Sequence, residues 1–370
     1  MHSRVKIYTA CQIIWPRRLA HFKIKLNKGE VNIEQLLFKL VEQPAFLGKE
    51  ENLIKVISES LPKCAKINID KNSNLIATMG IANSKEHILL DAHLDQIGLV
   101  VTNICDGGFL KVAPYGGMDR RVLPGTLVTI NGKRNICGII SSVPPHLSKN
   151  SENKFLSIDD LLVDTGLNSK EVNELVKVGD YVSFSNKPLK LLNNSISAPG
   201  LDNRAGVAAL IKCAHLLAKE CLNKQVSFLF STGEEVSGVG AKTAAFKAEP
   251  SSAISVDVSF ASQPSVPKEK CGELGKGPMI GVSPTLSKEV SSKLIEISKG
   301  ANINYQVEIM SGKTGTNADY ISVSKSGIKT GLVSIPLRYM HTPVEVINLT
   351  DIENTAKLLA LYVKGGLKLD

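Results

Sequence analysis

Five short acidic or histidine-bearing islands, each set directly after an apolar run, constrain this chain more than any other feature. In order they are Asp91-Ala-His93-Leu-Asp95, Leu201-Asp202-Asn203-Arg204, Gly233-Glu234-Glu235, Val256-Asp257-Val258 and Tyr339-Met340-His341. Four of the preceding runs (88–90, 226–230, 254–256 and 332–335) read as buried strands. In open α/β sheets, ligands bind outside the carboxyl ends of such strands. Two histidines and several carboxylates converging at one sheet edge would repel one another and stay desolvated without a cation among them. A pair of divalent ions is the natural occupant.

A chain of 370 residues exceeds one compact core and suggests two domains. The net charge of +9 resembles a nucleic-acid signal, but its distribution opposes that reading. Residues 1–29 hold seven basic side chains and no Asp or Glu, so the remainder carries only +2. A nucleic-acid partner therefore has little support. No apolar stretch approaches the roughly 20 residues of a membrane span. The seven cysteines show no C-x-x-C pair and no framework spacing, which fits a reducing, cytoplasmic setting. The basic leader, residues 1–30, lacks the apolar length and cleavage site of a secretory signal. It reads as a flexible tail or as upstream sequence translated from a misplaced start.

From Asn32 the pattern turns helical, with apolar residues at the helical period through Val41 and again over Glu50 to Leu61. Residues 67–79 and 87–90 read as strands. Between about 101 and 196 the character changes to short strands punctuated by turns, and Asn131-Gly132 marks a hairpin. Leu201 to Glu220 reads as a long helix that Asp202 or Asn203 can cap. Strand and helix then alternate to a closing helix over Asp351 to Val363. The expected fold is α/β: a mixed-sheet α/β/α catalytic domain from 31–100 and 197–370, with an inserted β-barrel-like domain at 101–196.

The ordered set His-x-Asp, Leu-Asp-Asn-Arg-Ala-Gly, Glu-Glu-Val-x-Gly, Asp-Val and Arg-Tyr-Met-His-x-Pro-Val-Glu resembles the M42 family of metallo-aminopeptidases, as does Glu273-Leu-Gly-Lys-Gly-Pro278. Each motif is weak alone; five in order with matching spacing are specific. The likeness runs from about residue 32 to about 366. It implies that His93 and Asp257 bind one metal, Glu235 and His341 the other, and that Asp202 bridges both. It implies that Glu234 is the general base, and that Asp95 hydrogen-bonds the far nitrogen of His93 and fixes its tautomer. It also implies a cis peptide after Asp202, and self-association through the inserted domain into dimers and a dodecamer. The cofactors expected are two divalent ions, Zn²⁺ foremost with Co²⁺ or Mn²⁺ as alternatives, since a His/carboxylate site accepts several metals. The substrates expected are peptides with a free N-terminus.

Each residue also has a plainer reading. A single histidine at a strand end is more often a satisfied polar residue than a ligand, Glu-Glu pairs usually face solvent, and Asp202 could be only a helix cap. His2, His21, His87, His146 and His215 are left at that reading. Departures from the commoner family pattern fall at Gln96, Gly233, Phe260 and Asn317; none removes an expected ligand or the base. The rival functions are N-acyl amino acid deacylation on the same metals, the endoglucanase label some relatives carry, and a catalytically silent assembly protein. A glycosidase needs two carboxylates flanking a sugar bond and no metals, whereas these acids are better used as ligands. Removing residues 1–29 is expected to leave activity and assembly unchanged, as followed by peptide hydrolysis and light scattering. A large loss of activity or a smaller particle would show that the leader is structural.

Overall fold

A computed structural model describes residues 31–142 and 157–366. The leader and His146 fall outside those residues, and with them the readings made of both. The described chain opens with α1 (Ile33–Val41), capped by the Asn32 side chain, and α2 (Glu51–Ser60). The 67–79 stretch divides into β1 (Lys66–Ile69) and β2 (Leu75–Gly80). The reason is local: the Asp70 carboxylate accepts the N–H groups of Asn72 and Asn74 and turns the chain back on itself. Next comes β3 (His87–His93), buried along its whole length.

The chain then closes a barrel from β4 (Gly98–Ile104), β5 (Leu110–Tyr115), β6 (Leu127–Asn131), β7 (Asn135–Ile140), β8 (Leu162–Asp164) and, after α3 (Ser169–Leu175), β9 (Tyr181–Phe184). Asn131 pairs with Asn135, so the hairpin loop is 132–134 and begins at the expected glycine. Alternate residues such as Leu99, Val101, Val128, Ile130 and Val182 fill the barrel interior. An aromatic seam joins it to the 43–50 loop: Phe46 stacks on Tyr181 at 4.7 Å and meets Tyr115 edge-on at 5.3 Å.

β10 (Leu189–Lys190) and β11 (Ser195–Ala198) return to the large sheet, followed by α4 (Leu201–Leu217). The remainder alternates: β12 (Gln225–Ser231), α5 (Val239–Ala248), β13 (Ser252–Phe260), β14 (Met279–Val282), α6 (Lys288–Gly300), β15 (Gln306–Ile309), α7 (Asn317–Ser322), β16 (Lys329–Arg338), β17 (Glu345–Asn348) and α8 (Leu349–Lys364). The sheet runs β1-β2-β12-β3-β13-β16-β17-β11-β10, with β14 and β15 branching from β16. It is mixed, but β12, β3, β13 and β16 are neighbours and mutually parallel. These are the four strands read from the apolar runs.

Side chains alternate across that sheet. Leu90, Phe228, Phe230, Ile254 and Val256 join the core under α1, α4, α6 and α8, whereas Leu89, Leu229 and Ala253 join a smaller core under α5 and α7. Three layers follow from this two-sided burial. No helix among the described residues is long and apolar enough to cross a membrane.

The fit of α5 against the β12 edge rests on Gly240. Its N–H donates to the Thr232 carbonyl at 3.0 Å, and an added β-carbon would collide with that carbonyl and with Asn74 Oδ1. Backbone cannot step aside as a flexible side chain can. Gly240→Ala is expected to cost about 1–3 kcal/mol, as overpacking does, measured by urea denaturation. An unchanged midpoint would show that the turn repacks freely.

Candidate metal centre

Because β12, β3, β13 and β16 are parallel, their carboxyl ends open on one edge, and the islands that follow them meet there. His93 is the last residue of β3, Asp257 lies near the end of β13, Glu234 and Glu235 follow β12, and His341 follows β16. Asp202 arrives from β11 at the head of α4. Its backbone and that of Asn203 are not helical, and the peptide between them is cis, as expected. The regular helix therefore starts after Asn203, one of the two caps read from the sequence. Its cap is Asn203, whose Oδ1 accepts the Gly206 N–H at 3.0 Å; the Asp202 carboxylate is left to face the site.

Asp202 stands between the two histidines with one oxygen toward each. Oδ1 is 3.1 Å from His93 Nε2, and Oδ2 is 3.3 Å from His341 Nε2. Asp257 Oδ1 lies 3.6 Å from His93 Nε2, and Glu235 Oε1 lies 3.4 Å from His341 Nε2. Two trios result, His93–Asp202–Asp257 and Asp202–Glu235–His341, each with its donor atoms within 4.8 Å of one another. Glu235 Oε1 is buried and makes no hydrogen bond. An unpartnered buried carboxylate oxygen facing an imidazole nitrogen fits a cation between them.

The electrostatics agree. Burial pushes Asp257 and Glu235 above the ordinary carboxylate range, and pushes Glu234 up to about 9. Burial works against charge on His341 too, but Asp202 and Glu235 overcome it and raise that imidazole to about 11. Burial works against charge on His93 as well, but the neighbouring carboxylates of Asp202, Asp257 and Asp95 lift it well above the ordinary imidazole range. Asp202 is held low despite burial, by His341 and His93. Carboxylates forced toward neutrality and imidazoles toward charge are what a cluster of excess negative charge does when protons are its only counterions.

The structure changes the expected role of one residue. His93 Nδ1 meets the backbone carbonyl of Asp95 at 3.0 Å, while the Asp95 carboxylate is farther away at 3.7 Å. That carboxylate is captured instead by the loop after β12: it accepts the N–H of Glu234 at 3.0 Å and of Glu235 at 3.2 Å, and Tyr115 donates its hydroxyl at 3.4 Å. Asp95 thus fixes the imidazole through its carbonyl and the Glu pair through its side chain. His87 bonds Ser227 and His215 bonds the Ser60 carbonyl; neither joins the cluster.

Some site residues were missed from sequence. Arg204, wholly buried, donates to the carbonyls of Leu40, Leu94 and Gln43 and to Gln96 Oε1, so it ties α1 to the loop after His93. Its place beside Asp202 was the available signal. The barrel also reaches the centre, since a β-carbon on Gly116 would sit 3.2 Å from Glu235 Oε2. The cleft above has a volume of about 810 Å³ and is walled by Phe260, Thr314, Gly315, Tyr320 and Met340 together with the cluster itself.

The family model for the M42 glutamyl aminopeptidases matches residues 73–358. A lysyl aminopeptidase of Pyrococcus furiosus is 33% identical over 337 residues, which cover 88% of this chain and 94% of that protein. Among solved structures, the aminopeptidase APDkam598 of the archaeon Desulfurococcus kamchatkensis superposes with a TM-score of 0.84 at 32% identity, covering 90% of this chain and 94% of its own. The TET1 peptidase of Pyrococcus horikoshii, described as able to assemble into a tetrahedron or a large octahedral shell, gives 0.80 at 32% identity, covering 90% and 99%.

Asp95→Asn would turn an amide NH₂ toward one of the two backbone N–H groups it now accepts, displacing the Glu pair. Changes of this supporting kind cost about 10–100-fold in metal affinity or activity. Zinc titration and hydrolysis of an aminoacyl-p-nitroanilide should both show the loss, and wild-type values in both would remove Asp95 from the site's support.

Proposed function

This chain belongs to the M42 glutamyl aminopeptidase family and is an aminopeptidase, a hydrolase of peptide bonds; within that class we propose that it is a two-metal enzyme removing N-terminal residues with Glu234 as general base. One observation carries the reading: Asp202 presents one oxygen to each histidine, and each half of the cluster completes a trio of ligand-type atoms. His93 and Asp257 would hold one ion, Glu235 and His341 the other, and Asp202 both. Two ions in such a cluster would supply an acidified water and a polarised scissile carbonyl.

The protein's own side chains do the rest. Glu234 lines the cleft beside the trios and is not needed to complete either one. It takes the proton of the attacking water and delivers it to the leaving amine. Asp95 holds the Glu234 and Glu235 backbone, so the base and one ligand keep a fixed separation.

The likeness to the TET1 peptidase, also described as a dodecamer, supports self-association of this chain into a large particle, the dodecamer built from dimers expected from sequence. The barrel offers a face for it, since Leu127 and Ile139 are cross-strand neighbours and both exposed. Zn²⁺ is the foremost candidate, with Co²⁺ and Mn²⁺ as alternatives, and the free state of the described cysteines suits a cytoplasmic setting.

The test is hydrolysis of aminoacyl-p-nitroanilides and of their N-acylated counterparts, with and without a chelator. Activity restricted to free amines and lost on chelation is expected; preference for the acylated forms would favour a deacylase. Glu234→Gln should keep the metals but lose about 10²–10⁴-fold in turnover, as removal of a general base does. More than half of wild-type kcat in a metal-replete variant would sink the assignment. His341→Ala and Asp257→Ala should each lower metal content, at different trios.

A further inference from the structure

We propose that Glu345 is a positioning residue whose carboxylate sets the spacing of Asp202 and His341, and through it the metal affinity of the Asp202–Glu235–His341 trio; this rests on reading that trio as a metal site. Glu345 is 1% exposed and opens β17. It pairs with Ala198 on β11, and its neighbour Val346 pairs with Arg338 on β16. Its backbone is therefore locked between the strand that leads into Asp202 and the strand that leads into His341.

The side chain spans the same gap. Glu345 Oε2 accepts the Asp202 N–H at 3.1 Å, and Oε1 accepts the His341 N–H at 3.0 Å. Above it, Asp202 Oδ2 and His341 Nε2 face each other at 3.3 Å. A closed ring results: one carboxylate holds two backbones whose side chains meet over the cleft.

His341 needs such a hold. Its φ is +60° and that of Tyr339 is +58°, the left-handed region that residues with a β-carbon adopt only where the surroundings impose it. Two further side-chain ties hold Tyr339 in this turn: the Thr342 hydroxyl donates to its carbonyl at 2.6 Å, and Gln263 Oε1 accepts its N–H at 2.9 Å, but neither reaches the His341 backbone. By contrast, His93 and Asp257 sit within β3 and β13, where ladder hydrogen bonds place them without help from Glu345. Loss of the Glu345 carboxylate should therefore fall unequally on the two trios.

Glutamine cannot replace it, because one of its two ends is an NH₂ that would face an N–H donor. Aspartate keeps both oxygens but on a stem one methylene shorter. A matched control exists in Asp351 on α8, also buried, whose carboxylate accepts the N–H groups of Gly275 and Gly277 at 2.7 Å each. Asp351→Asn removes the same kind of support without touching a site residue.

The experiment equilibrates the full chain, as wild type, Glu345→Gln and Asp351→Asn, with Zn²⁺ against graded chelator. Zinc per chain is then read by elemental analysis, and the unfolding temperature of each metal-free form is measured alongside. Wild type and Asp351→Asn should keep two ions where Glu345→Gln keeps one, with the weaker ion of Glu345→Gln bound about 10–100-fold less tightly than in wild type. The metal-free variants should lose comparable stability, which separates positioning from general weakening. Two ions of wild-type affinity in Glu345→Gln, or equal zinc loss in Asp351→Asn, would overturn the proposal. Should Glu345→Gln fail to fold, Glu345→Asp carries the test with the same two outcomes. A wild-type chain that binds no zinc would instead refute the metal-site reading on which this depends.

Discussion

Like charges confined at one buried sheet edge are the constraint that the rest of this structure answers to. Asp202 and Asp257 are each 6% exposed, His93 is 1% exposed, and Glu234 and Glu235 lie within the same cluster. Bringing such groups out of water costs several kcal/mol per ion unless opposite charge compensates. Arg204, a permanent cation buried beside Asp202, gives its donors to carbonyls and a glutamine rather than to the carboxylates. The uncompensated remainder makes this edge a candidate cation site, with neighbouring groups that hold its acids in place.

That holding is done by backbone more than by side chains. Asp95 accepts two N–H groups of the Glu loop, and Glu345 accepts those of Asp202 and His341. Asp91, fully buried below His93, is satisfied by Ser231, Ser255 and the Asn317 amide. Asp95 and Glu345 thus fix loops arriving from other strands, while Asp91 ties β3 to β12, β13 and α7 through their side chains. Asn317 ties the same network to α7, which helps wall the cleft.

Much of this was legible from the residues. Continuous apolar runs ending in an acid or a histidine marked four parallel strands, because strands buried on both faces lose the polar alternation of a half-exposed sheet. The cis peptide at Asp202 and the meeting of His93, Asp257, Glu235 and His341 followed from ordered motifs. Asp202 and Asn203 were both read as possible caps of α4; the structure chooses Asn203, because the site holds Asp202 out of helical geometry. The bond from His93 to the Asp95 carbonyl was hidden. A His-x-Asp spacing suggests the carboxylate, and only the loop after β12, some 139 residues away, draws that carboxylate elsewhere.

The sequence by itself determined the layers, the parallel centre of the sheet, the family and the residue types that converge at one edge. These depend on hydrophobic pattern and on side chains that carry their chemistry wherever they lie. Tertiary structure alone decided which partner each acid takes, that Arg204 fastens α1 to the loop after His93, and that Glu345 spans Asp202 and His341. Those contacts run to backbone N–H and C=O groups, which every residue possesses, so no pattern of side chains records them in advance.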